Sequence, residues 1–255
     1  MDAKGWVEEV WRKGKAILAV NMVNLETAQG IVWGAERAGR PIFLMVSQNA
    51  ARYGGLEELY AIGKTLKRKA RIPVFLHYDH AEGLEDLERA YSLGFDSAML
   101  EAHSAEQLKE ARRIAGSRPL EVELEAVEKD GRASSRLPEG ELLALAQASQ
   151  ADWWVVDLGT RHKSPHQIRL DLGRLERLRQ LGPLVLHGGS SAHPQDLAQA
   201  IAKGVAKVNV ATAAFLHFTL EVRSRVQEEV DPRKYLGPGR EALAQWLASF
   251  YLSLP

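Results

Sequence analysis

The chain has 255 residues, 45% hydrophobic and 26% charged, and its 33 Lys+Arg balance its 33 Asp+Glu to no net charge. That balance excludes both the basic field of a nucleic-acid binder and the acidic excess of a disordered tail, so no nucleic-acid partner is expected. The absence of cysteine excludes disulfides and thiolate metal sites, which leaves His, Asp and Glu as possible ligands.

The amino terminus, MDAKGWVEEVWRKGK, is amphipathic and charged and lacks the apolar centre of a signal peptide. No run of about eighteen apolar residues follows, so a cytoplasmic protein without a membrane partner is expected. From there two periods alternate. Apolar runs of strand length stand at 16–21, 41–47, 73–80, 97–102, 119–126, 153–160, 183–189 and 207–212. Helical spacing of apolar residues fills the intervals at 25–38, 55–70, 84–93, 105–115, 139–150, 172–181 and 195–203. A longer helix is predicted at 213–230, and a terminal amphipathic helix from about 239 to 252. Strands in a parallel sheet covered on both faces read as continuous apolar runs, as these do. Eight alternations with no break in composition predict one α/β domain over 1–255, a (β/α)₈ TIM barrel with a C-terminal helical extension at about 231–255. A doubly wound open sheet is the alternative, but no GxGxxG follows the first strand.

The stretch 183–212, PLVLHGGSSAHPQDLAQAIAKGVAKVNVAT, reads as strand, Gly-rich turn, helix and strand. His187 ends the first strand, and Gly188-Gly189-Ser190-Ser191 is a turn whose backbone amides suit an anion. Pro194 suits the first helical turn, whose partial positive charge adds to the same place. Asn209 and Thr212 end the last strand. In a TIM barrel the active site forms at the C-terminal strand ends. Those ends also supply Asn21, Ser47, Gln48, Asp79, His80, Glu101, Glu123, Glu125 and His162. Three imidazoles, His80, His162 and His187, converging over the mouth with one position left open would form a catalytic zinc site. His77, His103, His166, His193 and His217 read as structural or solvated. Alternation along the third strand places Asp79 on the opposite side from His80, and it places Glu123 and Glu125 on one face.

The segments VNMVNLET (20–27), HYDHAEG (77–83), VELEAV (122–127), LGTRHK (158–163), LVLHGGSS (184–191), KVNVAT (207–212) and DPRKYLGPGREAL (231–243) resemble, in order, the class II metal-dependent fructose- and tagatose-bisphosphate aldolases. The resemblance implies a lyase of carbohydrate metabolism that splits a phosphorylated sugar, such as fructose 1,6-bisphosphate, into dihydroxyacetone phosphate and an aldehyde. It implies Zn²⁺ on His80, His162 and His187, with Glu125 at an alternative buried metal position, and Asp79 handling the C4 hydroxyl proton. Gly189, Ser190, Asn209 and Thr212 fall on the cradle for the dihydroxyacetone phosphate moiety, where the family also uses a monovalent cation, Na⁺ or K⁺. Ser47 would reach substrate hydroxyls or the distal phosphate, and Arg233 reads as structural. Homodimers or homotetramers are implied too, and the aromatic group Trp246, Phe250 and Tyr251 suggests the surface.

The chain departs from the family at the substrate end. Val127 stands where the family has glycine, and the loop after it is short, with only Glu128 and Asp130 near the position of the base that exchanges the C3 proton. Lys163 and Ser191 replace glycines, and Glu101 replaces an aspartate. Slow cleavage or an altered substrate is therefore expected. A lyase for another anionic substrate, with Lys163 as an added positive charge, and a non-catalytic metal- or sugar-phosphate-binding paralogue are the alternatives.

Overall fold

A computed structural model describes residues 1–102, 104–125, 136–160 and 167–255. Eight parallel strands close into a barrel in chain order: β1 (Ile17–Asn21), β2 (Ile42–Ser47), β3 (Val74–Ala81), β4 (Ser97–Glu101), β5 (Leu120–Glu123), β6 (Trp153–Val155), β7 (Leu184–Leu186) and β8 (Val205–Val210). The chain begins with α1 (Ala3–Arg12), and the helices between strands are α2 (Leu25–Ala38), α3 (Gln48–Gly54), α4 (Leu56–Lys69), α5 (Leu84–Leu93), α6 (Ala105–Ala115), α7 (Glu139–Ser149), α8 (Leu172–Leu178) and α9 (Pro194–Ala202). Then come α10 (Thr212–Arg225) and α11 (Arg233–Leu252). No helix among the described residues is long and apolar enough to cross a membrane.

The helices that match the sequence expectation to the residue have explicit ends. Asn24 and Thr27 form a capping box on α2, which stops at Gly39 in the left-handed region, and Ser104 caps α6. A polar strand end, Ser47-Gln48-Asn49, proves to be the start of α3, because the Ser47 hydroxyl accepts a hydrogen bond from the Ala50 amide. The last helix starts at Arg233, ahead of the expected 239, and carries Pro238 in its first turns.

Two apolar layers result. Ile17, Ala19, Phe43, Met45, Phe75, Met99, Trp153, Val155 and Val185 fill the lumen, where Ala3, Val7 and Val10 of α1 join them at the end where the strands begin. A second cluster lies between the strands and the outer helices. Helix α11 packs on α2 so closely that a Cβ on Gly30 or Gly34 would come within 2.8 Å of an α11 backbone oxygen. Tyr251 is fully buried there, donating to the Pro41 carbonyl at 2.6 Å and accepting from the Leu18 amide at 3.2 Å. Trp246 stacks between His217 and Phe250. The aromatic group that suggested an intersubunit surface is therefore engaged within the chain, and exposed apolar residues nearby include Leu216 and Leu220 of α10 and Leu252 of α11.

Candidate active site

The strand ends form one polar mouth. Asp79 is buried; its Oδ2 accepts from Asn21 Nδ2 at 3.0 Å and its Oδ1 lies 3.5 Å from Asn209 Nδ2. Burial alone would raise its pKa, but the charges of His80, His187 and Lys207 and the Asn21 hydrogen bond prevail and lower it to about 2. Asp79 is thus a carboxylate at neutral pH. Asn21 Oδ1 is buried and has no hydrogen-bond partner among the described residues.

His80 departs from the expected alternation. Its φ is 61°, and the β3–β4 register shifts between Tyr78 and Ala81. Such a bulge, with a residue in the left-handed region, re-aims a side chain. A regular strand would send the His80 ring out toward the helices; here it turns back over the mouth, 5.1 Å from the His187 ring centroid and 4.0 Å from Asp79. Asp79 and His80 therefore serve the same side. The Glu101 carboxylate lies 2.7 Å from His80 Nδ1 and fixes the ring.

His80, Glu123 and His187 offer ligand atoms that all lie within 4.8 Å of one another. Imidazole nitrogens with a carboxylate are the donor set of zinc and related divalent metals, so the residues fit a metal. His162 lies outside the described residues, as do His103, His166, Lys163, Val127, Glu128 and Asp130. The two glutamates expected on one face part company. β5 ends at Glu123, and beyond it the period of two no longer applies. Glu125 is fully buried in an ion pair with Arg174, and its carboxylate also accepts from the Leu137 amide at 2.9 Å and the Asp157 amide at 3.3 Å. The carboxylate at the histidine pair is Glu123.

The turn after β7 needs both glycines. Gly188 has φ 64°, and a Cβ on Gly189 would lie 2.2 Å from Val208 Cγ1. The amides of Ser191 and Ala192 close this turn onto the carbonyls of Gly188 and Gly189, so they are committed within it. Ser190 is half-buried, Asn209 is buried and Thr212 is exposed as the first residue of α10. Ser47 is occupied in capping α3, and Gln48 donates to Asp86 at 3.1 Å. Arg233 pairs with Asp231 on the surface. Glu121 and Lys207, one step below the mouth, stand in strands that the sequence marks only as apolar runs; the signal for them is a charge at an inward position of an apolar strand.

The model of the family described as Fructose-bisphosphate aldolase class-II matches residues 1–253. The chain belongs to the class-II fructose-bisphosphate aldolase family. The fructose-bisphosphate aldolase of Thermus caldophilus is 32% identical, the alignment covering 94% of this chain and 94% of that one. The sulfofructosephosphate aldolase of Alkalicoccus urumqiensis is 30% identical over 95% of this chain and 92% of its own. Among solved structures, the YdjI aldolase from Escherichia coli K12 superposes with a TM-score of 0.88 at 23% identity, over 99% of this chain and 96% of that one, which shows the shared fold. A class-II aldolase is an aldehyde-lyase that depends on a metal, and among the described residues the histidine–glutamate cluster at the mouth is suited to hold one.

Proposed function

We propose that the protein is a zinc-dependent aldolase that cleaves a phosphorylated ketose between C3 and C4 and runs the reverse condensation. The observation that carries this reading is the ionised, buried Asp79 beside the His80, Glu123 and His187 cluster at the C-terminal mouth of a family barrel. His80 and His187 would hold zinc together with His162, as the resemblance implies, and Glu123 adds a carboxylate from β5. When bound, zinc supplies Lewis-acid stabilisation of the negative charge that develops on the ketose oxygens, the role that a Schiff-base lysine fills in other aldolases.

The remaining steps belong to the protein. Asp79, oriented by Asn21 and Asn209, accepts the C4 hydroxyl proton as the C3–C4 bond breaks and returns it in condensation. Asn21 Oδ1, buried and unmatched among the described residues, is placed to accept from a substrate hydroxyl. Gly189, Ser190, Asn209 and Thr212 would cradle the dihydroxyacetone phosphate end, with a Na⁺ or K⁺ ion, and the Ser47 hydroxyl retains a proton to donate. The second base, for the C3 proton, would come from Glu128 or Asp130. A homodimer or homotetramer is part of the reading, and exposed apolar residues such as Leu216, Leu220 and Leu252 are ones it would cover.

The test is a cleavage screen over ketose mono- and bisphosphates, including a sulfonated ketose phosphate, on chelator-treated protein with and without added zinc. Release of dihydroxyacetone phosphate only with metal, lost in Asp79→Ala, is expected. No cleavage of any of these substrates despite stoichiometric zinc would reject the aldolase reading and leave a binding protein.

A further inference from the structure

Below the mouth the lumen contains an ion pair that the proposed chemistry does not use. Lys207 of β8 and Glu121 of β5 reach into the barrel from strands that are not neighbours, and both side chains are fully buried with Nζ 2.8 Å from Oε2. On one side the pair borders apolar groups: Lys207 Nζ lies 4.0 Å from Met45 Sδ and 5.6 Å from the centre of the Phe43 ring. Removing two charges from water costs more than their attraction commonly returns, so a hydrophobic pair of similar volume would fill this space at least as well. Stability alone does not account for the pair.

Its geometry offers a reason. Lys207 Nζ also donates to Asn209 Oδ1 at 2.8 Å. An ammonium has three donors and no acceptor, so the Asn209 side chain must present its carbonyl to the lumen. Its NH₂ group is then aimed up into the mouth, 2.9 Å from His187 Nε2 and 3.5 Å from Asp79 Oδ1. Glu121 sets the other end. One oxygen holds Lys207, and the other lies 3.5 Å from the same His187 nitrogen. His77 completes the floor, with Nδ1 2.8 Å from Ser97 Oγ and Nε2 3.8 Å from Glu121. Burial, and next the charge of Lys207, hold His77 well below the usual imidazole range, and at 3.8 Å its Nε2 makes no hydrogen bond to Glu121.

We propose that the buried Glu121–Lys207 pair is a positioning device for the reaction centre, in which Lys207 fixes the direction of the Asn209 amide and, through it, the placement of His187 and Asp79. The kinetic part of this inference rests on the aldolase reading of the mouth; the geometric part does not.

The test uses the full-length protein and two readouts. Lys207→Met alone would strand the Glu121 carboxylate in the lumen, so the informative variant is the double substitution Glu121→Leu/Lys207→Met, which removes both charges at similar volume. Its melting temperature is expected to equal or exceed that of the parent, while kcat for ketose cleavage falls roughly 10–100-fold, the usual loss on removing an outer-sphere partner. KM should move less than kcat, because Asn209 is the one member of the phosphate cradle that the substitution releases. The second readout needs neither metal nor substrate. In the unsubstituted protein the Asn209 side-chain amide protons should give nuclear Overhauser contacts to the His187 ring and none to the Lys207 ε-methylene, and the double variant should lose that preference. A folded double variant with the parent's kcat, or amide protons facing Lys207 in the unsubstituted protein, would overturn the proposal. If the unsubstituted protein cleaves no ketose phosphate, the aldolase reading fails and the amide orientation still decides the inference. If the double variant does not fold, the orientation in the unsubstituted protein decides it alone.

Discussion

Glu123 and Glu125 are separated by one residue but stand in different surroundings, Glu123 beside the two histidines and Glu125 in an ion pair with Arg174, so substituting each in turn is a sharp test. Glu125 is fully buried and satisfies Arg174 and the amides of Leu137 and Asp157. Glu125→Ala would leave a guanidinium, whose side chain is only 7% exposed, without its counter-charge. Breaking a buried pair in this way costs about 3–5 kcal/mol. At about 2–4 °C per kcal/mol for a chain of this size, the melting temperature should fall by about 6–20 °C. Zinc should still bind, because the side chains at the mouth are unchanged. Glu123→Ala should do the reverse. It removes the carboxylate that lies 3.6 Å from His80 and 4.0 Å from His187, so the loss should appear in metal affinity. The assay is thermal melting of chelator-treated protein with and without zinc. A site at 100 times its Kd contributes about 2.7 kcal/mol to the folded state. That increment should persist in Glu125→Ala, on a lower baseline, and shrink or vanish in Glu123→Ala. If instead Glu125→Ala abolishes the zinc increment while Glu123→Ala retains it, the metal sits against Glu125 and the assignment made from the ion pair is wrong.

Asp152 fastens α1 to the barrel through Lys4 at 2.7 Å and Arg112 at 2.8 Å. Burial acts to raise its pKa, but the Lys4, Leu120-amide and Arg112 hydrogen bonds outweigh it and the net shift is downward from 3.8. A lowered folded pKa contributes stability that is present above the unfolded value and is lost as pH falls toward the folded one. Unfolding free energy should therefore decline below about pH 4 with a slope that Asp152→Asn lessens, and equal acid slopes in the two proteins would count against the pair. Gly189→Ala would place a Cβ 2.2 Å from Val208 Cγ1. Overpacking of this kind costs about 1–3 kcal/mol and should weaken dihydroxyacetone phosphate binding; unchanged urea midpoint and affinity would show that the turn tolerates a side chain. Replacing Glu128 and Asp130 with Gln and Asn should suppress hydrogen exchange at C3 of dihydroxyacetone phosphate by up to about 10²–10⁴-fold, the usual worth of a positioned base. Exchange at the parent's rate would place that base on another residue.

The barrel was legible because it rests on local patterns that repeat. Each strand is an apolar run covered on both sides, and helices such as α2 and α6 carry their own caps, so periodicity and capping residues marked them almost to the residue. β5, β6 and β7 end earlier than their apolar runs predict, for a related reason. Apolar residues continue beyond the last ladder partner, and composition does not register where the backbone leaves the sheet; Val156 and Leu158 stay buried although β6 ends at Val155.

The site was legible to the extent that it stands at strand ends, and it became illegible where one residue breaks the period of two. His80 is at the mouth only because its backbone enters the left-handed region, a conformation that a histidine adopts at some cost and that no spacing rule anticipates. The same break explains why Asp79 and His80 can act together: a regular β3 would have carried one of them into the lumen and the other among the helices. Glu121 and Lys207 escape the sequence for another reason. The β7–β8 register also shifts just before Lys207, and the partnership joins residues 86 positions apart across the lumen, while a charge in an apolar run reads the same whether it is paired or solvated. Closure of the barrel decides between those cases, since an inward position on a closed sheet has no water to reach. A buried charge there must find its partners within the lumen, and Lys207 finds two, the Glu121 carboxylate on β5 and the Asn209 carbonyl on its own strand. Because the second of these also borders the mouth, the geometry of the active centre depends on a contact that lies beneath it.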